Sequence, residues 1–325
     1  MIRLALKPPV SDRVVILDGI SRSGKKLSCR ILSHLRQIEH FQYLPLVENI
    51  ANLFGLGLIE KRNAASLIQM HLDEAIYNRI IGRNLNMRAA DESALHHSVE
   101  PDIYRGRMTG SDGISALADF RATGRASLFH THSILAYADV IFDAIPYCKL
   151  VHVTRHPVDI AEDWLRRGWG KRWGNDPITF NLIVEGPNEN EIAPWFAADW
   201  IESYVKMSEE ERCVESVIRL QEADRTVLES LPAECKAHVF QYSFERLITK
   251  PMSVVADLCS FLSTSPHANL PILLEREKLP VSISPDTRRN NFRRLSRACS
   301  PEILIRLRAA SQRYEDVWGL SAFPE

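Results

Sequence analysis

Residues 14–35, VVILDGISRSGKKLSCRILSHL, carry the chain's clearest chemical pattern. Four hydrophobic residues, Val14 to Leu17, run into Asp18-Gly19, and a loop Ile20-Ser21-Arg22-Ser23-Gly24-Lys25-Lys26 follows. Leu27, Ile31, Leu32 and Leu35 then recur at helical spacing. A glycine-bearing loop that opens a helix turns free backbone N–H groups toward one point. The helix dipole adds positive potential there. Arg22, Lys25 and Lys26 contribute three cations. These residue types in this order suit the binding of a phosphate or sulfate group.

Such a loop needs a scaffold, and the rest of the chain predicts one. Ser127–His132 reads as a short strand, Ser133–Ile145 as a helix ended by Pro146, and Lys149–Thr154 as a second strong strand. A helix runs from Val158, with Pro157 suited to its first turn. Arg62–Ile81 reads as a helix with one apolar stripe, on which His71 is a packed core residue. Residues 84–113 read as a long polar loop in which His96 and His97 are solvated. Ser208–Leu231 is a long amphipathic helix, His238–Ser243 a strand and Pro251–Leu262 a helix. Pro301–Tyr314 is the last helix, with Ser300 at its N-cap. Strands alternating with helices imply a three-layer α/β fold with a central, mostly parallel sheet. Ligands of such sheets bind at the carboxyl ends of the strands. The first loop, His132 and Arg155 all fall at such ends.

Composition narrows the classes. The chain has 325 residues, of which 45% are hydrophobic and 25% charged, enough for a substantial core. With 40 basic and 41 acidic residues the net charge is −1, which argues against a nucleic-acid-coating protein. The six cysteines form no CxxC pair. They read as reduced thiols of a cytoplasmic protein, without a zinc or redox motif. Met1–Val10 does not read as a signal peptide, and no segment approaches the ~20 apolar residues of a membrane span. One domain over residues 1–325 is expected, with its core at about 13–318.

The loop partly matches two known patterns. One is the P-loop of nucleotide triphosphatases and kinases, G-x-x-x-x-G-K-[ST], with Lys26 where a hydroxyl would hold magnesium. The other is the sulfotransferase loop, which Arg22-Ser23-Gly24 resembles, with Lys25-Lys26 replacing two hydroxyl residues. Residues 130–164 are more specific. Thr131-His132 at one strand end and Arg155-His156-Pro157-Val158-Asp159 at the next resemble the central block of sulfotransferases in type, order and spacing. Residues 242–251, YSFERLITKP, look like that family's Y-E-D-L-x-x-x-P element with one extra residue. Arg288–Ser296, RRNNFRRLS, lies where the family has a basic loop reaching the cofactor. The resemblance spans residues 13 to about 318 and implies a P-loop NTPase-like fold.

The resemblance implies transfer of a sulfuryl group from 3′-phosphoadenosine 5′-phosphosulfate (PAPS), without a metal, to a hydroxyl of a carbohydrate or small-molecule acceptor. Arg22, Ser23, Gly24, Lys25 and Lys26 would hold the 5′-phosphosulfate. Arg155 would bind the 3′-phosphate bidentately. Tyr242, Arg288 and Arg289 would complete the cofactor site. His132 is the natural base, and Glu48 is its rival. Asp163 stands where the family has a phosphate-binding serine. A carboxylate ~4 Å from a phosphate charge costs on the order of 4 kcal/mol, so Asp163 must point away or be neutralised by Arg166 or Arg167, or the cofactor lacks a 3′-phosphate. The tryptophan-rich stretch 164–200 would receive the acceptor through Trp169 and Trp173, flanked by Arg166, Arg167, Lys171 and Arg172. Trp195 and Trp200 read as core residues. Two other readings stay open: a kinase-like phosphotransferase, which requires a magnesium carboxylate at a strand end, and a nucleotide-binding homologue without catalysis.

Overall fold

A computed structural model describes residues 3–173, 176 and 180–320, without the side chain of Arg172. Five parallel strands form the central sheet: β1 (Val14–Asp18), β2 (Gln42–Tyr43), β3 (Ser127–His130), β4 (Lys149–Thr154) and β7 (Val239–Ser243). Their order is β2-β3-β1-β4-β7. β1 pairs in register with β3 through Ile16↔Phe129 and with β4 through Leu17↔Val151. The chain first crosses from β1 toward β2 and β3, then passes back over β1 to β4. The direction of winding therefore reverses beside β1, which opens a crevice at the carboxyl ends of β1, β3 and β4.

Alternation along β1 sends its side chains to two buried faces. Val14 and Ile16 join one core with α2 (Pro45–Gly55), α3 (Lys61–Ile80) and α4 (Ala138–Ala144). Val15 and Leu17 join the other with α1 (Lys25–Leu32) and α7 (Pro251–Leu262). A third cluster ties α5 (Pro157–Arg166) to α6 (Glu209–Ser230), α8 (Pro285–Ser296) and α9 (Pro301–Trp318). Two short strands, β5 (Ile183–Glu185) and β6 (Ile192–Pro194), pair antiparallel apart from the main sheet.

Local sequence accounts for most boundaries. Pro157 opens α5 from the His156 cap. Ser208 and Glu211 close a reciprocal capping box on α6, an arrangement whose cap alone contributes about 1 kcal/mol. Several expectations need correction. α1 ends at Leu32, so Leu35 lies beyond it, although it stays in the core. Ser300 is the N-cap residue of α9, as expected, but without a side-chain cap; its backbone N–H donates to Glu211 Oε1 at 2.9 Å. His71 is half-buried at the rim of a cavity rather than in the core. The 84–113 stretch is not wholly irregular. It holds a helix at Pro101–Arg107 whose Tyr104 is fully buried beneath the guanidiniums of Arg79 and Arg107. His96 and His97 are exposed, as expected. No helix among the described residues is long and apolar enough to cross a membrane.

Candidate active site

The loop after β1 turns tightly into α1. Gly19 has φ +145° and lies against the Val153 carbonyl, so no side chain fits there. Gly24, at φ +105°, is the N-cap of α1, and the Phe244 ring covers the place its Cβ would occupy. Arg22 takes a left-handed φ of +74° between them. The N–H groups of Lys25, Lys26 and Leu27 open the helix, where no intrahelical acceptor exists. Ser23 Oγ is buried and without a partner among the described residues. This is a donor set for an anion. Lys26 projects into solvent beside it.

Lys25 does not point at that anion position. Its Nζ turns back into the loop and donates to the carbonyls of Gly19 and Ile20, the latter at 2.8 Å. Burial lowers its pKa to about 8, against the opposing pull of Asp18 and Glu48. Lys25 thus braces the loop through its ammonium, where a direct phosphosulfate contact was the expectation.

Arg155, just past β4, reaches across to the loop. Its Nη1 donates to the Arg22 carbonyl at 3.1 Å and to Asp163 Oδ2 at 2.9 Å. Arg166 also donates to Asp163, and Arg22 Nε lies 3.6 Å from it. Asp163 is therefore neutralised rather than turned away, by Arg166 as one expectation held and by Arg155 and Arg22 in addition. Burial would raise its pKa, but Arg166 and Arg155 outweigh this and hold it below the usual range. Three guanidiniums around one carboxylate leave a surplus of positive charge beside the loop. Gln221 fixes the strand end by donating to the Arg155 carbonyl at 2.8 Å.

The geometry bears on three other expectations about the cofactor site. Tyr242 is fully buried against α1, because alternation along β7 turns it into the core. Arg288–Ser296 belongs to the helix α8 and is not a loop. Arg288 is spent on Asp159 at 3.2 Å and Glu245 at 3.3 Å, and Arg289 pairs with Asp286 at 2.6 Å.

Glu48 and His132, the two candidate bases, are in direct contact. His132 Nδ1 lies 2.9 Å from Glu48 Oε1. α2 brings Glu48 there because Val47, Ile50 and Ala51 bury the same face of that helix. Tyr43 donates to the other carboxyl oxygen at 3.2 Å and stands edge-on to the imidazole with ring centroids 5.3 Å apart. Burial raises Glu48 to about 8, with Lys25 opposing. Burial also lowers His132 well below its ordinary value, and Lys25 adds to the effect. Both shifts disfavour charge. The His132 side chain is nevertheless 30% exposed, at the wall of a cleft.

That cleft has a volume of about 410 Å³ and is lined by Ser21, His132, Trp164, Trp169, Trp173 and Trp195 among others. Trp164, Trp169 and Trp173 form a cluster, with ring centroids 5.3 Å apart for Trp164–Trp169 and 5.7 Å for Trp169–Trp173, which Trp195 joins through Phe196. The Trp164 indole N–H donates to the Ser21 carbonyl at 2.9 Å, which joins the aromatic wall to the anion loop. Trp195 is half-buried on this wall, contrary to the expectation of a core residue, whereas Trp200 is buried as expected. The Arg172 side chain lies outside the described residues. Sequence reasoning missed Tyr43, which sits on a strand of two residues, and Phe244, the apolar residue just past β7.

The molecule's structural neighbours are sulfotransferases. A sulfotransferase from Mycobacterium avium is 12% identical over 98% of this chain and 79% of its own, with a TM-score of 0.46. The sulfotransferase domain from the curacin biosynthetic pathway is 13% identical over 82% of this chain and 77% of that domain, with a TM-score of 0.43. A sulfotransferase from Alicyclobacillus acidocaldarius is 17% identical over 97% of this chain and 100% of its own, with a TM-score of 0.39. No protein-family model and no curated protein matches the chain. At such low identity no residue role passes from these proteins to this one.

Proposed function

We propose that this chain is a sulfotransferase that uses PAPS to sulfate a hydroxyl group of a carbohydrate or small-molecule acceptor. The observation that carries the reading is the juxtaposition of an anion cradle with a carboxyl–imidazole pair on one cleft. Ser21 belongs to the loop and lines the cleft that His132 also lines. A donor held on one side thus meets an acceptor held on the other.

The residues fit the donor's charge. The N–H groups opening α1, Ser23 Oγ and Arg22 suit the 5′-phosphosulfate end, and Arg155 suits the 3′-phosphate, with Asp163 already neutralised. PAPS supplies the sulfuryl group and a phosphate leaving group. Fixed donors in the loop stabilise charge that develops on that leaving oxygen. On the acceptor side, ionised Glu48 would accept from His132 Nδ1–H, which leaves Nε2 bare toward the cleft. Nε2 then takes the proton of the acceptor hydroxyl. Glu48 orients and charges the ring, and His132 touches the reacting oxygen.

The kinase-like reading lacks its carboxylate. β4 ends in Thr154-Arg155, and Asp18 at the end of β1 is committed to Thr131 Oγ1 and to the backbone N–H groups of Ile134 and Leu135 at 3.0–3.1 Å. Incubation with PAPS and a panel of hydroxyl acceptors, read as release of 3′,5′-ADP, tests the proposal. Acceptor-dependent release that disappears in His132→Ala supports it. Release that persists in that variant would overturn the assignment of the base, and no release with any acceptor would overturn the activity.

A further inference from the structure

We infer that the acceptor is an extended, uncharged, polyhydroxylated chain, an oligosaccharide, whose distal units occupy a second cavity behind Tyr43. The inference rests on the acceptor side of the function proposed above and extends it to a substrate class. Its starting point is a cavity of about 510 Å³ between β2, α3 and the segment at Asn84–Leu95. Its volume falls in the range of small-molecule sites.

Tyr43 and Pro45 line both this cavity and the tryptophan cleft. The two spaces therefore meet at one exposed rim, and Tyr43 at that rim bonds Glu48 directly. A molecule lying across Tyr43 would hold one end in the polar cavity and the other against His132.

The linings differ in the way a sugar chain requires. The first cleft offers flat indole faces, which pack against the apolar face of a pyranose. The second offers amides. Asn78 and Asn84 side chains line it, and Gln42 Oε1 is buried without a hydrogen-bond partner among the described residues. A carboxamide both donates and accepts, which matches hydroxyl groups. The charged groups around the cavity select against anionic chains. The one lining guanidinium, Arg79, is 5% exposed and sits 3.4 Å from Glu39, whereas Glu74 and Asp91 are carboxylates. His71, the other basic residue in the lining, lies 4.0 Å from Glu74 and burial lowers its pKa, and Arg88 is paired with Asp91, so no unpaired cation among these residues meets a sulfate, a phosphate or a uronate.

The test is direct binding, without PAPS and without turnover. Neutral gluco-, manno- and N-acetylglucosamine oligosaccharides of one to five units are titrated against the full chain by calorimetry or saturation-transfer NMR. At least one series is expected to bind about tenfold tighter at three or more units than at one. That increment is expected to vanish in Asn78→Leu and to shrink in Asn84→Gly, a second variant that suits the left-handed backbone at Asn84 (φ +54°). Stabilisation by 3′,5′-ADP is expected to be unchanged in both. Binding that does not depend on length in any series, or an increment retained in both variants, would overturn the inference. Length-dependent binding without any response to 3′,5′-ADP would support the saccharide site and count against the sulfotransferase reading.

Discussion

Two histidine–carboxylate constellations lie two strands apart in this sheet, and they do opposite things. His152, on β4, is 2% exposed and sits between Asp18 Oδ2 and Asp224 Oδ2, each 3.5 Å away. Burial works to lower its pKa, but Asp224 and Asp18 outweigh that and raise it. His132, just past β3, has one carboxyl partner, itself driven toward the neutral form, and an open side on the cleft. The first is a buried cluster that ties β4 to β1 and α6; His152 holds Asp18 below its ordinary range, while burial raises Asp224 to about 7. The second holds its groups toward the uncharged form and leaves part of the ring open to the cleft. Exposure and the number of carboxylates, rather than the presence of histidine, distinguish the proposed base from the buried cluster.

The largest contrast comes from removing each ring. His132→Ala is expected to lower the PAPS-dependent rate by about 10²–10⁴-fold with little change in unfolding free energy. His152→Ala should do the reverse, costing about 3–5 kcal/mol because two carboxylates lose the group between them. Initial rates and denaturant unfolding on both variants check this. Equal effects of the two substitutions on both readouts would erase the distinction.

A smaller effect falls on the anion corner. Arg155→Ala should weaken 3′,5′-ADP binding by about 10–100-fold, the worth of a charged hydrogen bond at about 1.5–3 kcal/mol. Thermal stability without ligand should change less, because Arg22 and Arg166 still neutralise Asp163.

pH dependence sharpens the comparison further. Glu48 has a folded pKa of about 8 against an ordinary value of 4.5, so the folded state holds the extra proton between them. Its contribution to stability is fully present below about pH 4.5 and is lost as pH rises through about 8. Activity should run the other way and rise toward pH 8, since only ionised Glu48 leaves His132 Nε2 free to accept. Glu48→Gln should flatten both profiles, as read from Tm and initial rate against pH.

The smallest expected effect is in the aromatic wall. Trp195→Ala should raise the acceptor KM several-fold with kcat nearly unchanged, the mark of lost uniform binding.

The β1–loop–α1 unit, β3, β4, α5 and α6 were legible because hydrophobic runs and caps are local signals. α2 was not read, although it carries Glu48. Its N-cap is Leu44, with no side-chain cap, and β2 before it has two residues. α8 stands where the resemblance implies a basic loop, and RRNNFRR offers little apolar periodicity to correct it; only Phe292 and Leu295 are buried on it. The candidate residues Glu48 and His132 were each visible, but their contact spans 84 positions. Nothing local encodes that approach; it follows from the packing of α2 over the sheet. The fate of Arg288 is similar, since its partners Asp159 and Glu245 come from two other elements.

Calorimetric titration of 3′,5′-ADP, with ADP and with ATP plus magnesium as comparators, tests the function most directly. Selective binding of 3′,5′-ADP by the unaltered chain, weakened at least about tenfold in Arg155→Ala, is the expected result. Binding of ATP with magnesium alone, or of no nucleotide, would contradict a PAPS-dependent sulfotransferase.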